Sequence, residues 1–251
     1  PSLSRIFDGG FGSFDKLKHL IEPRLQYLYL TTPTDVTFVP IFDEVDSTPQ
    51  DANLVRFVLA NRLLGRSREG LGTRELGSLE FFQDYSFDAP LNPGDGVRTS
   101  QFSALGMALR VTPSVRTGFD ARLSYDHLFH NLRSTSLAAS AQSPLGMLNL
   151  TWYQSFSPRT GDRLSSQARA MLSFRRPGFP LAASVQVAYD IERSELGDQR
   201  YALDYEGSCW NISAVYRDTR LGAFPTREFL VVIGLKGVGA LPEIKGNLGG
   251  Y

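Results

Sequence analysis

The sequence is poor in the residues that most often carry chemistry. Its 251 residues include one cysteine, Cys209, and three histidines, His19, His127 and His130. A single cysteine cannot close an internal disulfide, which leaves a free thiol or a half-cystine whose partner lies outside this sequence. His127 and His130 are three apart, so on one strand they face opposite ways and cannot share a metal, and His19 stands alone. No G-x-S-x-G elbow or P-loop occurs, and Gly237-Val238-Gly239 runs into Pro242 where a dinucleotide fingerprint wants a helix-packing glycine. No stretch approaches the ~18–20 apolar residues of a membrane-spanning helix. Charge of one sign is lacking too: 26 basic residues balance 26 acidic ones without a long run of either, so nothing recommends nucleic acid as a partner. These absences argue against an enzyme and lead us to expect no catalytic residue, no metal and no cofactor.

What the chain does have is alternation. Phe119, Ala121, Leu123 and Tyr125 interleave with Asp120, Arg122, Ser124 and Asp126. Likewise Leu181, Ala183, Val185, Val187, Tyr189 and Ile191 interleave with polar residues such as Ser184, Gln186, Asp190 and Glu192. Successive side chains on a strand point to opposite faces, so period two over ten or more residues predicts strands. About twelve are expected, near 17–30, 53–65, 74–87, 101–112, 117–129, 132–142, 147–157, 164–174, 181–192, 199–207, 209–218 and 227–236. Most exceed the usual soluble strand of about five or six residues and match the ~9–11 needed to cross a bilayer at a tilt. A hydrophobic fraction of 42% looks soluble, but an outer-membrane barrel looks the same because only every second residue meets lipid.

The faces and the connections fit that reading. Ile21, Pro23, Leu25, Tyr27 and Tyr29 oppose Glu22, Arg24 and Gln26; Val55, Phe57, Leu59 and Leu63 oppose Arg56 and Arg62. An arginine on a lipid face costs about 2–4 kcal/mol at mid-membrane, so Arg56 and Arg62 are expected to look into a watery lumen. Aromatics near predicted strand ends, among them Tyr27, Tyr85, Phe129, Trp152, Tyr201, Tyr205 and Trp210, read as interfacial girdles. Gln83, His127 and Gln154 interrupt apolar faces, each an interface position or a bulge. Long segments at 31–52 and 88–100 alternate with tight turns at Pro113-Ser114, 143–146, 177–180 and Gly207-Ser208. If the last strand ends in the periplasm, both long segments become outer loops, each of these turns is periplasmic, and 237–251 is a periplasmic tail.

Carboxylates such as Asp43 with Glu44, or Asp120 with Asp126, suit a hydrolase, though nothing marks one pair above the rest. The acidic segment 43–51 offers oxygen ligands for a divalent cation or is a solvated loop. Asn211-Ile212-Ser213 fits a glycosylation acceptor but falls within a strand and reads as chance. The start at Pro1, without a methionine or signal peptide, suggests an excised or processed piece.

Two regions do more than alternate. One is Leu203-Asp204-Tyr205-Glu206-Gly207-Ser208-Cys209-Trp210-Asn211-Ile212, followed by Tyr216-Arg217-Asp218 and by residues 229–239. The other is His19-Leu20-Ile21-Glu22-Pro23-Arg24 with Tyr27, Phe42-Asp43 and Asn53-Leu54-Val55-Arg56-Phe57. Together they resemble the lipopolysaccharide-assembly family of the outer membrane (LptD, or organic solvent tolerance protein, OstA), over nearly the entire chain. The resemblance implies an all-β fold, an antiparallel transmembrane β-barrel, with residues 1–251 forming the C-terminal part of a barrel of about twenty-six strands in a Gram-negative outer membrane. It implies a lipoprotein plug, LptE, and a periplasmic Lpt bridge reached through an N-terminal jelly-roll domain. Lipopolysaccharide would leave sideways through a seam between the first and last strands. Here the terminal strand, with Glu228, Phe229, Val231, Ile233 and Leu235, would form one lip of that gate. Cys209 matches a position where family members carry cysteines bonded to the N-terminal domain, although Trp210 replaces the second of an adjacent pair. Lumenal Arg56, Arg62, Arg110, Arg122 and Arg169 either bind the glycolipid's phosphates or hold water. A complete twelve-stranded barrel serving as a passive pore or hydrolase is the alternative, and a soluble β-sandwich is a third.

Overall fold

The computed structural model describes residues 2–31, 51–68, 72–220, 225–235, 239–240 and 244–247. Among them there is no helix. Thirteen long strands follow one another: β1 (Leu3–Phe11), β2 (Phe14–Leu30), β3 (Ala52–Ser67), β4 (Thr73–Ser86), β5 (Leu105–Ser114), β6 (Thr117–Asp126), β7 (Asn131–Ser143), β8 (Gly146–Phe156), β9 (Arg163–Arg175), β10 (Leu181–Asp190), β11 (Glu195–Glu206), β12 (Trp210–Thr219) and β13 (Thr226–Leu235). Two short ones, β14 (Gly239–Ala240) and β15 (Ile244–Asn247), complete an all-β, antiparallel sheet in which each long strand pairs with its sequence neighbours. The pairing is linear and does not close on itself, so the sheet is established and its closure into a barrel is not.

The expected twelve strands are all present, with ends moved by a few residues, and one long strand, β1, was missed. β1 pairs with β2 from Leu3↔Ile21 to Phe11↔Phe14, closed by a turn in which Gly12 takes φ +60°, a left-handed conformation that favours glycine. Its residues alternate poorly, since Arg5 shares a face with Leu3 and Phe7, so period two does not announce it. The segment expected as a tail contains β14 and β15, both paired to β13. Of the two expected outer loops, 32–50, with Asp35, Asp43, Glu44 and Asp46, lies outside the described residues.

Contacts divide the chain into two compact units. The first comprises residues 1–109, 122–133 and 157–162, the second 110–121, 134–156 and 163–251. In the first, β2, β3 and β4 form the longest ladders, from Phe14↔Ser67 to Leu30↔Ala52 and from Leu54↔Ser86 to Arg66↔Thr73. In the second, β8 to β13 pair in continuous register, broken by bulges at Ser155/Phe156 and Ala188/Tyr189. Connections tend to alternate in length along the chain, the five residues between β9 and β10 against the four between β10 and β11 being the exception. Those after odd-numbered strands from β1 to β11 have two to five residues, whereas those after even-numbered strands from β2 to β12 have four to twenty-one.

Candidate functional site: a sheet with one apolar and one charged face

Register fixes which residues share a face, because directly opposed residues on antiparallel strands project to the same side. In the first unit Ile21, Pro23, Leu25 and Tyr27 line up with Asn61, Leu59, Phe57 and Val55, and these with Leu79, Phe81, Gln83 and Tyr85. In the second, Leu150 aligns with Ala139 and Ala170, Val185 with Leu172 and Tyr201, and Val231 with Ala214. Several of the apolar side chains so gathered stand exposed, Leu25 at 67%, Leu172 at 52% and Leu150 at 45%, and others, such as Phe81, Val185 and Val231, are half-buried. Among the described residues the buried hydrophobic ones are three alanines, Ala60, Ala121 and Ala188. An apolar surface of this extent is what a lipid or protein partner covers.

Aromatic rings cluster at several strand ends. Phe87 meets Tyr27 and Tyr85 edge-on, Tyr85 also packs on Phe102, and Tyr205 stacks on Trp210 with centroids 5.0 Å apart. Tyr201, expected at an end, lies mid-strand in β11 beside Tyr216. Gln83 does sit on the apolar face, where its amide nitrogen donates to the Ser103 carbonyl. Gln154 is buried next to the Ser155/Phe156 bulge.

The opposite face is charged, and in the first unit it is tiled with ion pairs. Arg56 donates from Nε to Asp84 Oδ1 at 2.6 Å and from Nη2 to Oδ2 at 2.8 Å. Arg62 pairs with Glu75 and Glu22, Arg24 with Glu80, and Arg66 with Asp15. Small residues beneath make the long reaches possible. Ala60 lies between Glu22 and Glu80, so Arg24 on β2 can span β3 to reach β4. In the second unit Arg175 on β9 likewise spans Ala182 on β10 to reach Glu206 on β11. Arg110 pairs with Asp120. Arg122 and Arg169 are exposed and make no ion pair or hydrogen bond among the described residues. The five arginines expected to act alike thus divide: Arg56, Arg62 and Arg110 are neutralised by carboxylates, while Arg122 and Arg169 keep unshared guanidinium donors.

Residues 87–104, which join β4 to β5, are folded rather than a loose loop. Asn92 exchanges backbone hydrogen bonds with Ser100, and its amide nitrogen donates to Asp126 Oδ2 at 3.0 Å. Asp126 is 0% exposed and Asn92 1%. Burying a carboxylate requires compensation, and Asp126 has it: the Leu128 and Phe129 N–H groups donate to it and Arg133 lies 3.3 Å away. Asp95 accepts from the N–H groups of Arg98 and Val97. The Arg98 hydrogen bond, above all, holds its carboxyl below the usual value of 3.8.

That region also brings together the nearest approach to a catalytic pair, which sequence spacing did not reveal. Ser100 Oγ lies 2.9 Å from His127 Nε2. A nucleophile–base pair needs a third group to orient the imidazole, but His127 Nδ1 is buried without a partner. The adjacent carboxylate, Asp126, is occupied by the contacts just described. Ser100 Oγ also accepts from the Phe102 N–H, and its contact with His127 ties the segment to the turn that follows β6. The two candidate carboxylates Asp120 and Asp126 are engaged separately, with Arg110 and with Asn92 and Arg133. Among the described residues no three His, Cys, Asp or Glu side chains cluster as metal ligands. Asn211 lies in β12 with its amide packed over Gly234, which accounts for it structurally.

Cys209 is exposed and free in the turn between β11 and β12, where the Gly207 N–H donates to the Trp210 carbonyl. β13 places Phe229, Val231, Ile233 and Leu235 on the apolar face and Glu228 on the other. Its far edge, expected to be one lip of an opening, carries β14 and β15. No protein-family model and no curated protein matches this sequence.

Proposed function

We propose that this chain is part of an outer-membrane β-barrel that inserts lipopolysaccharide into the outer leaflet, as the lipopolysaccharide-assembly family does. The uncovered apolar face carries the membrane part of this reading. A soluble sheet would bury those side chains against a second layer, and here they stand exposed opposite a face of ion pairs. Alternating short and long connections add support, since barrels of this kind keep short turns in the periplasm and long loops outside. The segments around Cys209 and His19 supply the family.

In the mechanism this implies, the chain performs no covalent chemistry. Lipopolysaccharide arrives from the periplasmic Lpt bridge, its acyl chains pass through a seam at the terminal strand, and its phosphates and sugars stay on the charged face. Arg122 and Arg169 are the arginines suited to meet phosphate there, because Arg56, Arg62 and Arg110 must first give up a carboxylate. The lipoprotein LptE fills the lumen, and Cys209 bonds to the N-terminal domain.

The test is lipopolysaccharide export in cells carrying the full-length protein with the terminal strand crosslinked to the barrel's first strand. Export should stop and should resume on cleavage of the crosslink; unchanged export with the seam locked would end the gate assignment. Mass mapping without reductant checks the cysteine, and a free Cys209 thiol would remove the disulfide. A second reading, an outer-membrane hydrolase or pore complete in itself, draws on the Ser100–His127 contact. Residues 1–251 refolded alone in lipid would then conduct ions, or would cleave an ester and lose that activity in Ser100→Ala.

A further inference from the structure

The apolar face of β11, β12 and β13 changes character row by row toward the β12–β13 connection. Register aligns Gln199, Asp218 and Arg227 in one row. The next row is Tyr201, Tyr216 and Phe229, and the one after it Leu203, Ala214 and Val231. Polar, aromatic and aliphatic rows in that order are what water, lipid headgroups and hydrocarbon select. A strand crossing a bilayer spends ~9–11 residues, and Arg227 is the second of ten in β13. It therefore stands at the boundary, where an arginine on the lipid side costs little. The Tyr201 hydroxyl donates to Gln199 Oε1 at 3.1 Å and joins the first two rows.

Charge in the polar row does not balance. Asp218 is 4% exposed, and two arginines meet it at the same oxygen, Oδ2, Arg220 from Nη2 at 3.3 Å and Arg227 from Nε at 3.5 Å. By contrast, Arg56 holds both oxygens of Asp84, at 2.6 and 2.8 Å. The Arg220 and Arg227 side chains remain about half exposed, and neither pairs with another acid among the described residues. Asp218 Oδ1 is buried and has no hydrogen-bond partner among the described residues. Buried acceptors are as a rule satisfied, so the row combines surplus cationic donors with an acceptor short of one.

We propose that this row binds the headgroup of a phosphorylated sugar lipid. Arg220 and Arg227 donate to the phosphate, and a hydroxyl or amide N–H on the sugar beside that phosphate supplies the donor that Oδ1 lacks. The acyl chains lie over the aromatic and aliphatic rows. A glycerophospholipid such as phosphatidic acid offers the phosphate without a sugar donor next to it. The site stands on the register and the ion pairs; that the lipid is the lipid A anchor of lipopolysaccharide, in the outer leaflet, rests on the function proposed above.

Photocrosslinking on the full-length protein in an uncharged maltoside detergent tests this. Tyr216 is replaced by p-benzoylphenylalanine, and the adduct is measured against increasing lipid A. Stripping both phosphates from the lipid should raise the half-saturating concentration about tenfold, as the loss of a charge-assisted hydrogen bond does. An unchanged concentration, or no adduct with lipid A, would overturn the proposal, and this comparison needs no variant to fold. Arg220→Gln and Arg227→Gln should each cost a similar factor toward lipid A and nothing toward the phosphate-free lipid. Arg193→Gln, in the β10–β11 turn at the same end of the sheet, should stay within about twofold. Equal losses in all three variants would mean general attraction of charge and would also overturn it. Phosphatidic acid bound as tightly as lipid A would overturn the sugar headgroup. The seam experiment can fail without moving any of these readings, because they are taken on purified protein and do not depend on export.

Discussion

Leu150 and Asn149 are neighbours near the middle of β8 and belong to opposite faces, which makes them a matched pair for asking what each face touches. Leu150 is opposed by Ala139 and Ala170, Asn149 by Ser140 and Met171. Leu150→Arg puts a guanidinium on the apolar face one residue from the midpoint of an eleven-residue strand. If that face meets lipid, the cost is about 2–4 kcal/mol, a factor of roughly 30 to 900 in the folded ratio at about 1.36 kcal/mol per decade. Asn149→Arg puts the same guanidinium on the opposite face, where Asn149 is half-exposed, and should stay within about 0.5 kcal/mol, as surface substitutions do. The assay is reversible urea unfolding of the protein inserted in lipid vesicles, followed by tryptophan fluorescence, with both variants measured against the parent. Similar costs for the two variants, or a neutral Leu150→Arg, would refute the assignment of lipid to that face. A larger cost for Asn149→Arg would reverse the faces.

Three further outcomes follow from particular contacts. Asp126→Ala leaves Arg133, Asn92 and two backbone donors without their acceptor and should cost at least about 3 kcal/mol; urea unfolding would show it, and limited proteolysis should cut within 87–104 first. Gly146→Ala should destabilise by about 1–3 kcal/mol, because a Cβ there would sit 2.0 Å from the Ser173 carbonyl oxygen, a backbone atom held in the β8–β9 ladder; a neutral variant would show that the ladder yields. Asp95 titrates below its usual 3.8, so the clamp on Val97 and Arg98 is fully present above that value and is lost as the pH falls through the lower folded value. The 13C carboxyl shift of Asp95 and the amide shift of Arg98 should move with one midpoint below 3.8.

Much of the sheet was legible because its strands are long and alternate cleanly. The facing sets Ile21 to Tyr29 and Val55 to Leu63 came directly from period two, and the register joined them as that period implies. β1 was not legible, since Arg5 breaks its apolar face and its pairing depends on β2. Phe82 was not separable from Phe81, yet it lies on the charged face opposite Val58, where Gly106 leaves room for its ring. Period two assigned the arginines to a face but not to partners. Whether a guanidinium is neutralised depends on which residue register brings across, Asp84 for Arg56 and no acid for Arg169, whose opposed residues are Thr151 and Ala188. The order in 87–104 was hidden for a similar reason, because Asn92 and Asp126 are 34 residues apart.

That the hydrophobic residues buried among the described ones are all alanines has a thermodynamic consequence. Most proteins gain heat capacity on unfolding because an apolar interior meets water. Here the large apolar side chains already lie on the surface, so their contribution to the melting curve is set by the medium around them. Under the membrane reading, unfolding from a bilayer into a state that stays among lipid chains should show a heat-capacity change well below that of a soluble domain of equal length. Detergents of different chain length should then shift the melting temperature without altering one hydrogen bond of the sheet.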